Sequence, residues 1–160
     1  MLLPSLIGQQ FSTIVSSAFI ERRNYRMQLF NPNGRSEELR AVHADCEFLE
    51  DYLINQPGSD WDPPMQNCMA YDAIHREIGR VEFKCATGKT ITIKPYCQKQ
   101  IQSGMIEAFL IWKWAVKPNA ILQEGDKVVC EILQIVPAKY VANNAIASLY
   151  NRNDLMMFCQ

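Results

Sequence analysis

The sequence lacks several features that would assign it to a familiar functional class. Sixteen Lys and Arg residues against 17 Asp and Glu give a formal net charge of -1. The chain therefore has no overall coat of positive charge for a nucleic-acid backbone. None of its six cysteines forms a C-x-x-C pair, and no Cys and His spacing suits zinc. It has no internal repeat and no ATPase motif. A zinc module, a repeat protein and an ATP-driven enzyme are not expected.

Signals for export or membrane insertion are also missing. The first 20 residues are rather apolar, but they carry no early basic residue and no clear A-x-A cleavage site, and Gln9 and Gln10 interrupt them. We expect no membrane partner and a cytoplasmic protein, whose cysteines are mostly small buried hydrophobes. Apolar residues recur here at helical spacing and predict an amphipathic helix packed on the domain or on a second subunit: Leu3, Ile7, Phe11, Ile14, Val15 and Ala18.

The length and composition predict one domain with a real core. The chain has 160 residues, of which 48% are apolar. We divide residues 1–160 into an N-terminal helical extension over 1–30, a core over 36–136 and a C-terminal helix over 137–160.

Periodicity within the core alternates between helical and extended segments. A helix is predicted from Ser36 to Ile54, and a loop follows over 55–64. A further helix begins at Pro95. Strands are predicted over four segments: 69–74, 80–85, 106–114 and 127–136. Strands mixed with flanking helices indicate an α/β sandwich around a central mixed sheet.

Three residues form the candidate chemical centre. Glu82 and Lys84 are two residues apart on a predicted strand, so they project from the same face. Asp72 lies on the neighbouring predicted strand, and a hairpin would bring it to Glu82. Two carboxylates suit a hard cation such as Mg²⁺, with Mn²⁺ as a substitute. Lys84 could orient an attacking water or stabilise the charge of a phosphoryl transition state.

This spacing resembles the signature of a known enzyme family. Asp72, nine intervening residues and then Glu82-Phe83-Lys84 are similar to the D…(D/E)-x-K motif of the PD-(D/E)XK nuclease superfamily. Tyr71 stands where many members have proline. The resemblance implies a restriction-endonuclease-like sandwich, with a helix after the lysine strand and then two further strands. It implies a divalent-metal-dependent deoxyribonuclease of phage or mobile-element type, endonucleolytic in the manner of a resolvase, homing or restriction enzyme.

The resemblance also suggests where further site residues lie. Members often supply another acidic residue, or a histidine, from a helix before the sheet. Glu50 is the first candidate for catalysis and metal binding, followed by Glu47 and His43. An ordinary polar helix flank is the alternative for each. His75 is expected in the turn between the two motif strands rather than as a ligand.

The helix after the lysine strand is the expected substrate-binding element. Lys94, Gln98 and Gln102 share one face at four-residue steps, and Lys99 lies beside them. In the family this helix often lies beside the active site, so contact with DNA phosphates or bases is expected. A plain solvated face is the alternative.

The expected partners are DNA and a second copy of the chain. A duplex has two strands to cut, and one domain offers one site. The N-terminal helix, Trp112 and Trp114 are candidate interface surface, although both tryptophans share a strand face and suit the core as well. Two alternatives stay open: a non-catalytic nucleic-acid-binding or structural protein with a degenerate nuclease fold, and a small oligomeric structural protein. The sequence does not distinguish DNA from RNA as the substrate.

Overall fold

A computed structural model describes five segments of the chain: residues 7–29, 44–65, 70–86, 95–116 and 122–138. The described helices are α1 (Ser17–Leu29), α2 (Phe48–Ile54) and α3 (Pro95–Gln102). The strands are β1 (Gln10–Ile14), β2 (Trp61–Asp62), β3 (Ala73–His75), β4 (Gly79–Cys85), β5 (Ala108–Val116) and β6 (Lys127–Pro137).

The six strands form one mixed sheet in the order β1-β6-β5-β4-β3-β2. Strands β4 and β5 are parallel, and every other neighbouring pair is antiparallel. A parallel pair needs a crossover connection, and α3 lies in the one between β4 and β5. The prediction of an α/β fold with a central mixed sheet is confirmed.

Helices cover both faces of the sheet. On the first face, Phe19 of α1 and Phe48 and Leu49 of α2 pack with Val81 and Phe83 of β4 in one apolar cluster. On the second face, Ile101 of α3 packs with a separate cluster that includes Phe109, Ile111 and Val136. Successive strand residues alternate between the faces, so each strand contributes to both clusters.

Helix α2 forms where the sequence places apolar residues one turn apart. Phe48 and Tyr52, like Leu49 and Leu53, are four residues apart and face the first cluster. The helix ends at Ile54, and the cap residue that follows is Asn55, whose side-chain amide donates to the Asp51 carbonyl with 2.7 Å between the atoms. The predicted end at residue 54 is confirmed, but the predicted continuous helix is wrong at Cys46 and Glu47, which form a turn before Phe48. The predicted start lies outside the described residues.

The expected N-terminal helical extension is wrong for residues 10–14, which form β1. This strand pairs antiparallel with β6, from Gln10 opposite Glu131 to Ile14 opposite Lys127. The helical spacing of Phe11, Ile14, Val15 and Ala18 does not mark one buried face, because Phe11 is half-buried and Val15 is buried, whereas Ile14 and Ala18 are exposed. The segment is part of the sheet rather than an appendage.

Most other predicted elements are confirmed with small shifts. β4, β5, β6 and α3 match their predicted segments closely. β3 begins at Ala73, later than predicted, and two residues of the predicted loop, Trp61 and Asp62, pair with it as β2. The expected helix over 137–160 lies outside the described residues from 139 onward.

The two tryptophans of β5 belong to the first-face core. Trp112 is fully buried, and Trp114 packs against the same cluster, with 4.9 Å between their ring centroids. Trp112 therefore cannot supply the interface surface suggested for it, because its indole is enclosed within this chain.

Candidate active site

The hairpin of β3 and β4 brings Asp72 to Glu82. Asp72 precedes β3, and its N–H donates to the Val81 carbonyl at 3.0 Å. Its carboxylate accepts the N–H of Phe83, with 2.8 Å between Oδ2 and N. Asp72 lies one residue before Ala73, the first paired residue of β3. Its side chain takes the place that a backbone carbonyl would take if the strand pairing continued. This bond fixes the carboxylate on the backbone of the strand that carries Glu82 and Lys84.

Asp72 and Glu82 form a hydrogen-bonded carboxyl pair. Burial, together with the charge of Asp72, raises the pKa of Glu82 to about 9, and Lys84 opposes this rise. Two carboxylates this close cannot both ionise easily, so at neutral pH the pair holds one proton and one negative charge. The Glu82 side chain is only 12% exposed, which explains why water does not relieve the repulsion.

Lys84 lies beside the pair without neutralising it fully. Its Nζ is 3.9 Å from Glu82 Oε1, longer than a normal hydrogen bond. This distance and the raised pKa of Glu82 agree that the Lys84–Glu82 ion pair is weak, and we regard Glu82 as the neutral acid at pH 7. The ammonium is therefore available to another anionic group.

The three side chains lie on the second face of the sheet. Glu82 and Lys84 of β4 are paired with Phe109 and Ile111 of β5, and both β5 residues belong to the second-face cluster. Asp72 extends the antiparallel register of β3 to a position opposite Glu82, where cross-strand side chains share a face. The structure therefore brings together the three residues of the sequence motif.

Helix α3 covers the same face, as expected of the substrate-binding helix. Ile101 anchors it in the second-face cluster, and Lys99 and Gln102 are exposed to solvent. Lys94 and the side chain of Gln98 lie outside the described residues. The helix therefore lies on the same face of the sheet as Glu82 and Lys84, and two of its four candidate contact residues are exposed to solvent.

Helix α2 packs on the opposite face from the motif residues. Its apolar side chains join Val81 and Phe83, which alternate with Glu82 and Lys84 along β4. Glu50 is buried and Glu47 is half-buried on or beside this helix, while His43 lies outside the described residues. Within the five described segments, no group of three or more His, Cys, Asp or Glu side chains is arranged to hold a metal ion. Glu50 as a third ligand stays a prediction.

Two arginines near the N-terminus are engaged in structural ion pairs. Arg22 contacts Asp51 through two hydrogen bonds, one of 2.8 Å from Nε to Oδ1. Arg23 is buried and donates from Nε to Asp45 Oδ1 at 2.5 Å. These pairs join α1 to α2 and to the helical residue Asp45 before it, so neither guanidinium is a ready phosphate contact.

Sequence reasoning missed two features of the site. His75 is a buried strand residue, not a turn residue, although its Nδ1 does accept N–H groups of the following turn from Glu77 and Ile78. The Phe83 N–H that holds Asp72 is a backbone group, which no side-chain motif reveals.

The donor set fits a hard divalent cation. Two carboxyl groups that share one proton offer an arrangement in which a cation could replace that proton. Mg²⁺ commonly takes one or two protein carboxylates and completes its shell with waters and substrate phosphate oxygens. Asp72 and Glu82 meet this minimum, and Lys84 supplies positive charge next to it.

The chain matches no family model, and no curated protein and no solved structure is significantly similar to it. Among the described residues, no helix combines the length and hydropathy needed to cross a membrane.

Proposed function

We propose that the protein is a divalent-metal-dependent nuclease that hydrolyses phosphodiester bonds in DNA, with a restriction-endonuclease-like fold. The observation that carries this proposal is the hydrogen-bonded pair of Asp72 and Glu82 with Lys84 beside it. The surrounding order of elements supports it: the strand pair with the motif is followed by α3 and then by β5 and β6. That order is the one the resemblance implies.

Each residue of the motif has a distinct role in the proposed reaction. Asp72 and Glu82 would hold Mg²⁺. When bound, such an ion lowers the pKa of a coordinated water and offsets phosphate charge. Lys84 can donate hydrogen bonds to the attacking water or to the phosphate oxygens as negative charge develops on them. Phe83 keeps Asp72 oriented through its backbone N–H.

The half-buried position of the site strengthens these interactions. The Lys84 side chain is 21% exposed, so bulk water and salt screen its charge less than that of a surface lysine. Because the net charge of the chain is -1, DNA binding would depend on positively charged side chains close to the site rather than on the overall charge. Lys84 and the exposed Lys99 on α3 are described cations on this face of the sheet.

The test is DNA cleavage by the purified chain with Mg²⁺, with Mn²⁺ and with EDTA. We expect cleavage with either ion, none with EDTA, and none for Lys84→Ala. Lys113 offers a matched control, because its Nζ lies 3.3 Å from Glu131 Oε2 on neighbouring strands with a side chain 27% exposed. Lys113→Ala should cleave as the parent does.

Three outcomes would contradict the proposal or redirect it. Equal activity of Lys84→Ala and the parent would remove Lys84 from the mechanism. Cleavage of RNA but not DNA under the same conditions would change the substrate. DNA binding without cleavage in either ion would favour the non-catalytic alternative with the same fold.

A further inference from the structure

A cavity of about 260 Å³ lies beside the first-face cluster. Leu53 and Trp61, two buried members of that cluster, form part of its wall, and the half-buried Phe11 that packs against the cluster forms another part. The exposed residues Gln9 and Gln56 also line the cavity, so it opens to solvent. Its volume is slightly below the range of about 300–1,000 Å³ that is typical of pockets for drug-sized ligands. A ligand that fits it is therefore small.

His75 presents a hydrogen-bond donor to this cavity. It lines the cavity although the residue is only 2% exposed. Its Nδ1 accepts the N–H groups of Glu77 and Ile78, and these are the hydrogen bonds of the ring within the described segments. A ring nitrogen that accepts hydrogen bonds carries no proton, so the proton of the neutral imidazole is on Nε2. Because buried donors are nearly always paired, the Nε2–H calls for an acceptor in the cavity.

The charges around the cavity disfavour an anionic ligand. Burial lowers the pKa of His75, so its ring is neutral at pH 7. The carboxylate of Asp60 also lines the cavity, and its side chain is more exposed than His75. Arg76 Nη1 is 3.6 Å from Asp60 Oδ1, too far for a hydrogen bond, so the carboxylate can accept one from a ligand. The cavity thus offers a buried donor and a more exposed acceptor.

We propose that this cavity binds a small planar heterocycle of the nucleobase type, which accepts the Nε2–H of His75 and donates an amino N–H to Asp60. Phe11 and Trp61 suit a flat ring, because aromatic rings pack on one another by stacking or edge to face. A purely apolar ligand would leave the imidazole donor unpaired, at a cost that a ring nitrogen avoids. A phosphate or carboxylate ligand would meet the negative charge of Asp60.

The proposed cavity is separate from the candidate active site. Leu53 and Trp61 belong to the first-face cluster, whereas Glu82 and Lys84 lie on the second face of the sheet. Binding of a heterocycle here therefore does not depend on the protein being a nuclease.

The test is titration of the ¹⁵N-labelled full chain with adenine, which has ring-nitrogen acceptors and an amino group. The chain has three tryptophans, and Trp61→Phe identifies the indole N–H signal of Trp61. We expect adenine to shift this signal with a dissociation constant on the order of 1 mM, as befits so small a ligand. Indole has a similar shape but no acceptor nitrogen, so it should bind about tenfold more weakly. Purine, which lacks the amino group, should lie between the two.

Two substitutions of His75 separate its two nitrogens. His75→Asn keeps an acceptor near the Nδ1 position and removes the Nε2 donor, so adenine should bind about tenfold more weakly. His75→Gln places an amide N–H near the Nε2 position and should retain most of the binding. Lys84→Ala, on the opposite face, is the control and should bind adenine as the parent does. Circular dichroism would verify that each variant is folded.

Four results would overturn the proposal. The first is an unchanged Trp61 signal at an adenine concentration tenfold above the expected dissociation constant. The second is equal affinity for adenine and indole, a comparison that needs only the parent chain and so decides even if a variant does not fold. The third is a folded His75→Asn that binds adenine as tightly as the parent. The fourth is loss of adenine binding in Lys84→Ala, which would place the ligand in the candidate active site.

Discussion

The carboxylate of Asp72 accepts a hydrogen bond from the backbone N–H of Phe83, with 2.8 Å between Oδ2 and N. The same carboxylate is hydrogen-bonded to Glu82. Asp72 therefore completes the pairing of β3 with β4 while it also provides half of the candidate cation site. Its structural and chemical contributions can be separated by the choice of substitution.

We predict that Asp72→Asn keeps the fold and that Asp72→Ala weakens it. The asparagine carbonyl can accept the Phe83 N–H, whereas alanine leaves that buried donor without its partner, at a cost of about 1–3 kcal/mol. Urea denaturation should show a lower midpoint for Asp72→Ala than for Asp72→Asn. Both variants should lose cleavage activity. Equal stability of the two variants would mean that the hydrogen bond contributes nothing.

A second prediction concerns the cation. If Mn²⁺ binds the folded protein and not the unfolded chain, it should raise the melting temperature. The free energy of unfolding should increase by about 2.7 kcal/mol when Mn²⁺ is in hundredfold excess over its dissociation constant. Glu82→Gln resembles the protonated acid in shape but cannot ionise, so its stability without metal should stay close to the parent and the Mn²⁺ shift should disappear. Differential scanning fluorimetry with and without Mn²⁺ measures both quantities. Equal Mn²⁺ shifts in Glu82→Gln and the parent would place the ion elsewhere.

The third prediction uses the buried histidine. Burial lowers the pKa of His75 below its usual 6.5, and its Nδ1 accepts N–H bonds from Glu77 at 3.1 Å and Ile78 at 3.3 Å. The folded protein thus prefers the neutral ring. Stability from this group is fully present above pH 6.5 and is lost as the pH falls towards the lowered pKa of the folded state.

His75→Asn tests this dependence, because asparagine keeps an acceptor near the Nδ1 position and does not titrate. Urea midpoints at pH 7.5 and pH 5.5 should differ less for the variant than for the parent. His43, the other histidine of the chain, is present in both proteins and so cancels. The same pH difference in both proteins would show that His75 is not the titrating group.

Gly79 provides the fourth prediction. Its φ is +96°, and a Cβ there would collide with the Glu107 carboxylate, which accepts the N–H of Arg80. Gly125 has a similar φ of +89° with open space around it. Gly125→Ala should therefore cost only backbone strain, about 1–2 kcal/mol, and Gly79→Ala should cost more. Adding Glu107→Ala should recover part of the difference, and no recovery would mean that backbone strain alone explains the loss.

The fifth prediction is a homodimer or larger oligomer, because cutting both strands of a duplex requires two sites. With Trp112 enclosed in the core, the exposed apolar residues Ile14 and Val116 on neighbouring parts of the sheet are better candidates for contact. Ile14→Lys and Val116→Lys should reduce the mass measured by light scattering. A monomeric parent at micromolar concentration and above would refute the expectation.

Local patterns predicted the elements that have strong and uninterrupted periodicity. The alternation of apolar and polar residues from Arg80 to Cys85 predicts the alternating burial observed along β4. The ten-residue separation of Asp72 and Glu82 is enough to predict that a hairpin brings the two residues together. The sequence did not predict β1, because this five-residue strand is followed closely by a helix. The apolar residues of the strand and of the helix together have a spacing that resembles one continuous helix.

The remaining site properties depend on tertiary packing. No spacing rule states which face of the sheet α2 covers, so the separation of Glu50's helix from the motif face could not be predicted. Burial of Glu82 and the shared proton arise from the second-face cluster around Phe109 and Ile111.

The pairing of β1 with β6 constrains how the protein reaches its native state. Gln10 lies opposite Glu131, so about three quarters of the 160-residue chain separates the two paired residues. During synthesis β1 is made first but cannot find its partner until the last strand of the sheet leaves the ribosome. Contacts between such distant segments carry a large loop-closure cost and slow folding. The sheet is therefore completed late, and the edge of β6 stays open to wrong strand partners until β1 closes it.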